Sequence, residues 1–531
     1  MIDSSISKRK IALINPPSFF LSDDKVFFSL GLLSLAGVAR EAGHEVHVED
    51  LAGRRDYEKL AANLAGRFDL YGVTATSPQY GFAIKVLEAI KSRDPNSRVV
   101  VGGPHATMFA SLKNRRRLEL ITQDPSLASR PLDLERRIHE SDINFGSLES
   151  FDQIIEGEEN GIFEAINSLD NPNPLKWVYS GVVADIDKLP FPARDLIDMR
   201  SYSVKDDGTP KFEISGGPAT SIMSQRGCPF GCLFCSGRNV DQYRKIKVGG
   251  KLRAHSPERM LQELNHLNQE YGFTRFMIYD DELNLEEGRF RELMNSFEDN
   301  NLKRKADGKD PFYFRGFVKS ELFLKNPEQA ELMKRAGFSE LLSGFESGSD
   351  RILRYHVRKN TSREINLGAT ELAFRNGLQV KALTMLGHPT ETYEDIMMTH
   401  DFIDNVGRLA KQYGQGWNFD LTILTPYPGS PIYDSMVRNK GPFAEEYQRV
   451  LLNKTGTPEL FMKEVNFADE GVGAYKTASG EEVVLIRTPT LTSGKLYELR
   501  NGIDKELRQK YGLKSYERAK TDIEHAMGQS T

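Results

Sequence analysis

Cysteine is scarce: the 531 residues contain three, all between Cys228 and Cys235. An odd, tightly clustered set excludes the disulfide framework of a small secreted scaffold. Long apolar runs are also missing. No stretch approaches the roughly 18 residues that a membrane-spanning helix needs. Neither sign of charge dominates, with 70 Lys and Arg against 75 Asp and Glu and a net charge of −5. That balance removes the global basic field expected of a nucleic-acid binder. The run Lys113-Asn-Arg-Arg-Arg117 reads as a solvated surface loop. The opening Met1-Ile-Asp-Ser-Ser-Ile-Ser7 lacks the apolar core of a secretory signal. A cytoplasmic protein with no membrane span and no nucleic-acid partner is expected.

The three cysteines sit in Arg226-Gly-Cys228-Pro-Phe-Gly-Cys232-Leu-Phe-Cys235, a C-x3-C-x2-C spacing. Thiolates are the soft ligands of iron–sulfur clusters, and a [4Fe–4S] cubane has four irons to ligate. Three thiols leave one iron open to bind something else. Zinc held with a distant histidine is an alternative, although structural zinc motifs more often come as two paired knuckles. Inert thiols in a buried glycine-rich loop are another.

Residues 10–110 alternate between strand and helix patterns. Lys10–Asn15, Glu45–Glu49, Leu70–Ala75 and Arg98–Val101 read as strands, with helical patterns at Leu30–Ala42 and Phe82–Ser92. Such alternation predicts a parallel, doubly wound sheet. Its ligands bind beyond the carboxyl ends of the strands, where the loops 15–20, 74–80 and 102–107 fall. Gly102 and Gly103 would let a bulky ligand approach the backbone. From about 215 to 435 six further strands alternate with helices: Thr220–Met223, Phe276–Tyr279, Phe312–Arg315, Glu340–Gly344, Val380–Thr384 and Phe419–Ile423. Lys495–Tyr511 looks helical, and Gly471–Arg487 reads as a hairpin around Ala478-Ser-Gly480.

The cysteine stretch resembles the C-x3-C-x-aromatic-C motif of radical S-adenosylmethionine (SAM) enzymes, with Phe234 in the aromatic slot. Further motifs follow in that family's order. They are Asp280-Asp281-Glu282, Gly344-Phe-Glu346-Ser347-Gly-Ser349 with the basic pair Arg358-Lys359, Met385-Leu-Gly387-His-Pro-Thr-Glu391-Thr392, and Pro426-Tyr-Pro-Gly-Ser-Pro431. The first 185 residues resemble the cobalamin-binding domain that precedes many such cores. The matching features are Asn15-Pro-Pro, Gly31-Leu-Leu, Gly102-Gly-Pro-His-Ala-Thr107, Ile155-Glu-Gly-Glu158 and the linker Leu189-Pro-Phe-Pro-Ala-Arg-Asp195.

The resemblance implies an α/β chain with four parts. Residues 1–185 form a Rossmann-like cobalamin domain carrying an insertion at 111–150, and 186–214 a linker. Residues 215–435 form a partial (β/α)6 TIM-type radical SAM barrel, and 436–531 a small α+β capping or substrate region. It implies that Cys228, Cys232 and Cys235 ligate a [4Fe–4S] cluster. Asp280, Asp281, Glu282, Glu346, Ser347, Arg358 and Gly387 would contact SAM. Asn15, Thr74, Thr76, Ser77, Gln79, Gly102, Gly103 and His105 would lie around cobalamin. No histidine has Asp two residues before it, so the D-x-H-x-x-G lower axial ligand is absent and the lower face of the cobalt is expected to be empty or water-bound. His105 is expected to be a hydrogen-bonding residue, not the cobalt ligand.

The implied activity is C-methylation: a 5′-deoxyadenosyl radical abstracts hydrogen and methylcobalamin donates methyl. Non-methylating cyclisation or ring rearrangement on the same scaffold, and a non-catalytic cobalamin sensor, are the alternatives. A methylthiotransferase would need further cysteines in the N-terminal domain. The implied partners are a small-molecule or peptide substrate and a flavodoxin- or ferredoxin-like electron donor.

Overall fold

The alternating strands and helices assemble into two parallel six-stranded sheets. The structure is a computed structural model and describes residues 7–18, 23–139, 146–235, 252–426, 430, 432, 488 and 490–514. The first sheet contains β1 (Lys10–Asn15), β2 (Glu45–Asp50), β3 (Leu70–Thr74), β4 (Val99–Gly102), β5 (Gln153–Gly157) and β6 (Trp177–Gly181). Its order is β2-β1-β3-β4-β5-β6, all parallel. The order reverses between β1 and β3, and the carboxyl edge there is the crevice in which such sheets bind ligands. Along β1, Ile11 and Leu13 enter one apolar core while Ala12 and Ile14 enter another. A strand covered on both faces has to be apolar throughout, which is why Lys10–Asn15 reads as a continuous run.

The expected surface loop at 113–117 is helical instead: residues 111–123 continue the helix Gly103–Gln123, and a second helix, Pro131–His139, follows, so the insertion is not confined to the surface. Leu120, Leu127, Leu134, Ile138 and Leu148 from this segment are buried in the core beneath β3 and β4.

Two short antiparallel pairs flank the start of the second sheet. They are β7 (Glu213–Ile214) with β8 (Gly217–Pro218), and β10 (Gln225–Arg226) with β11 (Arg253–Ala254). The second sheet contains β9 (Thr220–Ile222), β12 (Arg275–Ile278), β13 (Tyr313–Phe317), β14 (Phe338–Glu346), β15 (Gln379–Leu386) and β16 (Trp417–Ile423). They lie in chain order, all parallel. Among the described residues β9 and β16 do not pair, so the arc stays open as a partial (β/α)6 barrel. Phenylalanines fill the space behind it; Phe297 stacks on Phe314 with ring centroids 4.5 Å apart.

The two units share one core. Leu32, Leu33 and Ala36 of the first belong to the same apolar cluster as Leu264, Leu267 and Phe276 of the second. The linker runs between them. Its Ala193 amide donates to the Leu33 carbonyl at 2.9 Å, and its buried Arg194 donates to the Ser221 carbonyl at 3.0 Å and pairs with Glu263 at 2.8 Å. The C-terminal helix Ser493–Tyr511 docks on the last strand, with Arg508 donating to the Phe419 carbonyl at 2.8 Å. The expected hairpin at 471–487 and most of the Pro426–Pro431 motif lie outside the described residues.

Gly103 has φ +86°, and a Cβ there would stand 2.6 Å from Thr74 Oγ1 and 3.1 Å from the Ala75 amide. The position therefore needs glycine because the end of β3 presses on it. A Cβ on Gly102 would meet only the Ile155 carbonyl, at 3.7 Å. Gly103→Ala should cost about 1–3 kcal/mol through backbone strain, whereas Gly102→Ala should stay within about 0.5 kcal/mol. Urea midpoints of the two variants check this.

Candidate active site

The polar motifs converge at the carboxyl ends of the second sheet, where parallel α/β folds place their chemistry. The cysteine loop leaves β9 through β10. Cys232 is buried, Cys228 and Cys235 are half-buried, and none is in a disulfide. The loop is pinned by its backbone: the Leu233 amide donates to the Val357 carbonyl at 3.2 Å, and the Ile432 amide to the Leu233 carbonyl at 3.1 Å. Phe234 packs on Ile352, Leu353 and Val357. Burial pushes the Cys232 thiol up to about 11; Lys359 pulls it down, Glu346 pushes it up and Lys319 again pulls it down.

Lys359 is the centre of the polar cluster. Its buried ammonium lies 3.1 Å from Glu346 Oε1 and 3.4 Å from Glu282 Oε1, and donates to the Gly344 carbonyl at 2.8 Å. Burial disfavours this ammonium, but Glu346 and Glu282 outweigh the cost and hold its pKa above the ordinary lysine value. A Cβ on Gly344 would run into both the Glu346 carboxylate and this ammonium. Glu346 follows a β-bulge and sits at φ +64°, a conformation non-glycine residues seldom adopt. A second buried cation, Lys319, follows β13. It donates to the Lys359 carbonyl at 2.7 Å, pairs with Glu321, and stands 4.1 Å from the Phe230 ring centroid.

Two of the expected residues, Arg358 and Asp280, stand apart from this cluster. Arg358 was expected at the SAM site; it is exposed in a left-handed turn, φ +53°, and the adjacent Lys359 is the inner cation. Of Asp280, Asp281 and Glu282, Glu282 faces Lys359 and Asp281 is half-buried. Asp280 turns the other way. It accepts from the Ser224 amide at 2.7 Å and the Gln225 amide at 3.0 Å, fastening the stem of the cysteine loop. Burial raises its pKa to about 6, against the pull of the Ser224 hydrogen bonds and Arg289. Lys319 escaped the sequence reading, although its place just after a barrel strand is the signal that marks the others.

Ser347 is buried, and its hydroxyl pairs with Thr399 at 3.2 Å and accepts from the Ser349 amide at 3.1 Å. Gly387, at φ +90°, donates its amide to Glu391 Oε2 at 2.5 Å. Glu391 Oε1 is buried without a hydrogen-bond partner. Burial, partly opposed by the Gly387 amide, raises the acid to about 8, so at neutral pH this group is largely protonated.

At the carboxyl edge of the first sheet, the Asn15 amide group donates to Asp50 at 2.9 Å. Gln79 ties the loops together, donating to the Pro16 carbonyl at 3.0 Å and accepting from the Thr76 hydroxyl at 2.9 Å. Ser77 is buried against His105, Oγ to Nδ1 3.0 Å. His105 is fully buried and stacks on Tyr80 with centroids 4.0 Å apart. Burial alone lowers its pKa to about 3, so it stays a neutral, fully enclosed residue. Thr74, Thr76, Gly102 and Gly103 are half-buried there.

The donor set suits the groups that the sequence implies. Three soft thiols lie within one short loop beside two buried cations, and the first sheet offers an edge of small residues at Thr74, Gly102 and Gly103. Among the described residues no three His, Cys, Asp or Glu side chains close around a single point.

A doubly wound domain feeding an open barrel with a three-thiol loop defines the class: an α/β enzyme with its chemistry at strand ends. The B12 binding domain model matches residues 23–118, and the Radical SAM superfamily model matches residues 222–403. The chain belongs to the radical SAM enzymes that carry an N-terminal cobalamin-binding domain. It is 28% identical to the uncharacterized methyltransferase PH0819 of Pyrococcus horikoshii over 82% of this chain and 81% of that protein. It is 21% identical to the cytidylyl-2-hydroxyethylphosphonate methyltransferase of Streptomyces wedmorensis over 75% and 78%. Its fold matches the radical SAM methyltransferase TsrM of Kitasatospora setae, whose structure holds cobalamin and a [4Fe–4S] cluster. The TM-score is 0.58 at 15% identity, over 94% of this chain and 91% of that one. Among the described residues no helix is long and apolar enough to cross a membrane.

Two outcomes are expected. Lys359→Met leaves Glu282 and Glu346 buried without their cation and should cost about 3–5 kcal/mol, read from denaturant midpoints. Glu391 keeps its proton in the folded chain up to about pH 8, whereas the unfolded chain loses it near 4.5. Its contribution is therefore fully present below pH 4.5 and is lost as pH rises through 8. Glu391→Gln mimics the protonated acid, so the variant should gain on the wild type steadily from pH 5 to 8. Parallel pH–stability curves would contradict this.

Proposed function

We propose that the chain is a cytoplasmic, cobalamin-dependent radical SAM C-methyltransferase. It takes electrons from a flavodoxin- or ferredoxin-like donor and acts on a small molecule or peptide. The observation that carries the reading is the placement of the Cys228–Cys235 loop against Lys359, Glu346 and Glu282, in a chain whose other sheet is a B12-binding domain. Methyltransferase relatives spanning most of the chain support the reaction type.

In this reading Cys228, Cys232 and Cys235 hold the cluster. Glu346 and Glu282 meet SAM's polar atoms, with the half-buried Asp281 beside them. Carboxylates suit SAM's ammonium group on charge grounds. Lys359 holds the two glutamates in position. Gly387 leaves room for the adenine. Thr74, Thr76, Gly102 and Gly103 border the cobalamin, and His105, locked in the core, leaves the cobalt without a histidine. When bound, the cluster with SAM supplies a 5′-deoxyadenosyl radical and cobalamin supplies the methyl group. The chain's own task is to orient these groups and exclude water.

Anaerobic reconstitution tests the reading. The wild type should hold about four irons per chain and release 5′-deoxyadenosine under reducing conditions. Replacing any one of the three cysteines by Ala should abolish that release. A cobalamin sensor would bind cobalamin and release none. Label transferred from the methyl group of SAM into product separates methylation from ring-forming chemistry. In electron paramagnetic resonance, nitrogen superhyperfine splitting on the cob(II)alamin signal would refute the empty or water-bound lower face.

A further inference from the structure

Both stems of the cysteine loop are gripped by the first sheet. Glu158 and Glu159 follow directly on β5, at its carboxyl end. Arg226, two residues before Cys228, forks onto Glu159 with Nη1–Oε2 at 2.8 Å and Nη2–Oε1 at 2.6 Å. Glu159 is buried, and its Oε1 also accepts from the Ser34 hydroxyl, on the helix Leu30–Glu41, at 2.7 Å. Arg253 is paired with Arg226 across the β10–β11 ladder and forks onto Glu158, with Nη2–Oε1 at 2.8 Å. Arg253 Nη1 also donates to the Val183 carbonyl at 2.8 Å. Arg226 Nη1 reaches Glu158 as well, at 3.5 Å, so the two carboxylates and two guanidiniums form one network.

Bidentate guanidinium–carboxylate pairs are directional as well as strong. A general packing contact would not need two adjacent acids, each forked to a different end of the same loop. Burial disfavours the Glu159 carboxylate, but the Arg226 fork overcomes this and holds it below the usual glutamate range. The acid is therefore ionised throughout the neutral range.

We propose that Glu158 and Glu159 are positioning residues that clamp both stems of the cysteine loop to the carboxyl edge of the B12-binding sheet and so fix the spacing between cluster and cobalamin. This rests on the cofactor reading above, and the test separates the two. In the apo full-length chain, Glu158→Gln combined with Glu159→Gln should speed hydrogen exchange at least tenfold in peptides covering 222–226 and 252–256. Exchange in the helix Tyr393–Tyr413 should not change. Unchanged stems, or equal acceleration in that helix, would overturn the clamp. This arm needs no cofactor, so a failure to bind the cluster would sink the cofactor reading and leave the clamp standing.

In the protein reconstituted with iron, sulfide and cobalamin, pulsed electron paramagnetic resonance should give one narrow distance between reduced cluster and cob(II)alamin in the wild type. The double variant should give a broadened distribution at undiminished iron and cobalamin content; an unbroadened one overturns the proposal. Should the double variant fail to fold, Arg226→Lys serves instead. It keeps the charge but loses the fork, and should show the same broadening with both cofactors retained. A wild-type distribution in Arg226→Lys overturns the proposal.

Discussion

A guanidinium cannot be buried alone, and the arrangement of the two sheets depends on how Arg194 is satisfied. It lies in the linker, fully enclosed, and is held by Glu263 from the first barrel helix and by the Ser221 carbonyl from the first barrel strand. Removing one partner of such a pair leaves an uncompensated buried charge, which is strongly destabilising. The linker can therefore occupy one place only, and from it Ala193 reaches back to Leu33 in the other domain. A shared apolar cluster fills in around these contacts. Relative domain motion is the usual expectation where interfaces are small and polar; here the junction is a core.

The same rule of compensated burial shapes the barrel mouth. Lys359 sits between Glu282 and Glu346, Lys319 has Glu321, and Asp280 takes the amides at the root of the cysteine loop. These charges come from three strand ends, with Asp280 and Glu282 after β12, Lys319 and Glu321 after β13, and Glu346 closing β14, so the cluster depends on the register of those strands. Glu346 and Arg358 take left-handed backbone conformations beside it, strain of the kind that persists where surrounding structure dictates it.

Much of this was legible in the chain. Lys10–Asn15 announces itself because burial on both faces demands continuous apolar residues, whereas the edge strand Trp417–Ile423 shows the alternation of a half-covered strand. β6 was not foreseen, because Trp177–Gly181 is a half-buried edge strand whose residues carry no clear period. The strand-end motifs marked the right neighbourhood but not which side chain turns inward. Arg358 and Lys359 are interchangeable by charge, and a single left-handed residue decides between them. Asp280 and Glu282 differ only in which side of β12 they leave from. Glu159 and Arg226 are 67 positions apart, and nothing local in either stretch reveals that they meet.

One attachment has an evolutionary reading. Ile432 is tied to Leu233 in the cysteine loop, and Thr488 and Thr490 both donate their hydroxyls to the Glu391 carbonyl, at 2.8 and 3.3 Å. Both attachments use backbone carbonyls as acceptors, one on the cysteine loop and one on the turn after β15. A backbone acceptor does not depend on the side chain of its own residue, so these attachment points can persist through substitution of the side chains around them.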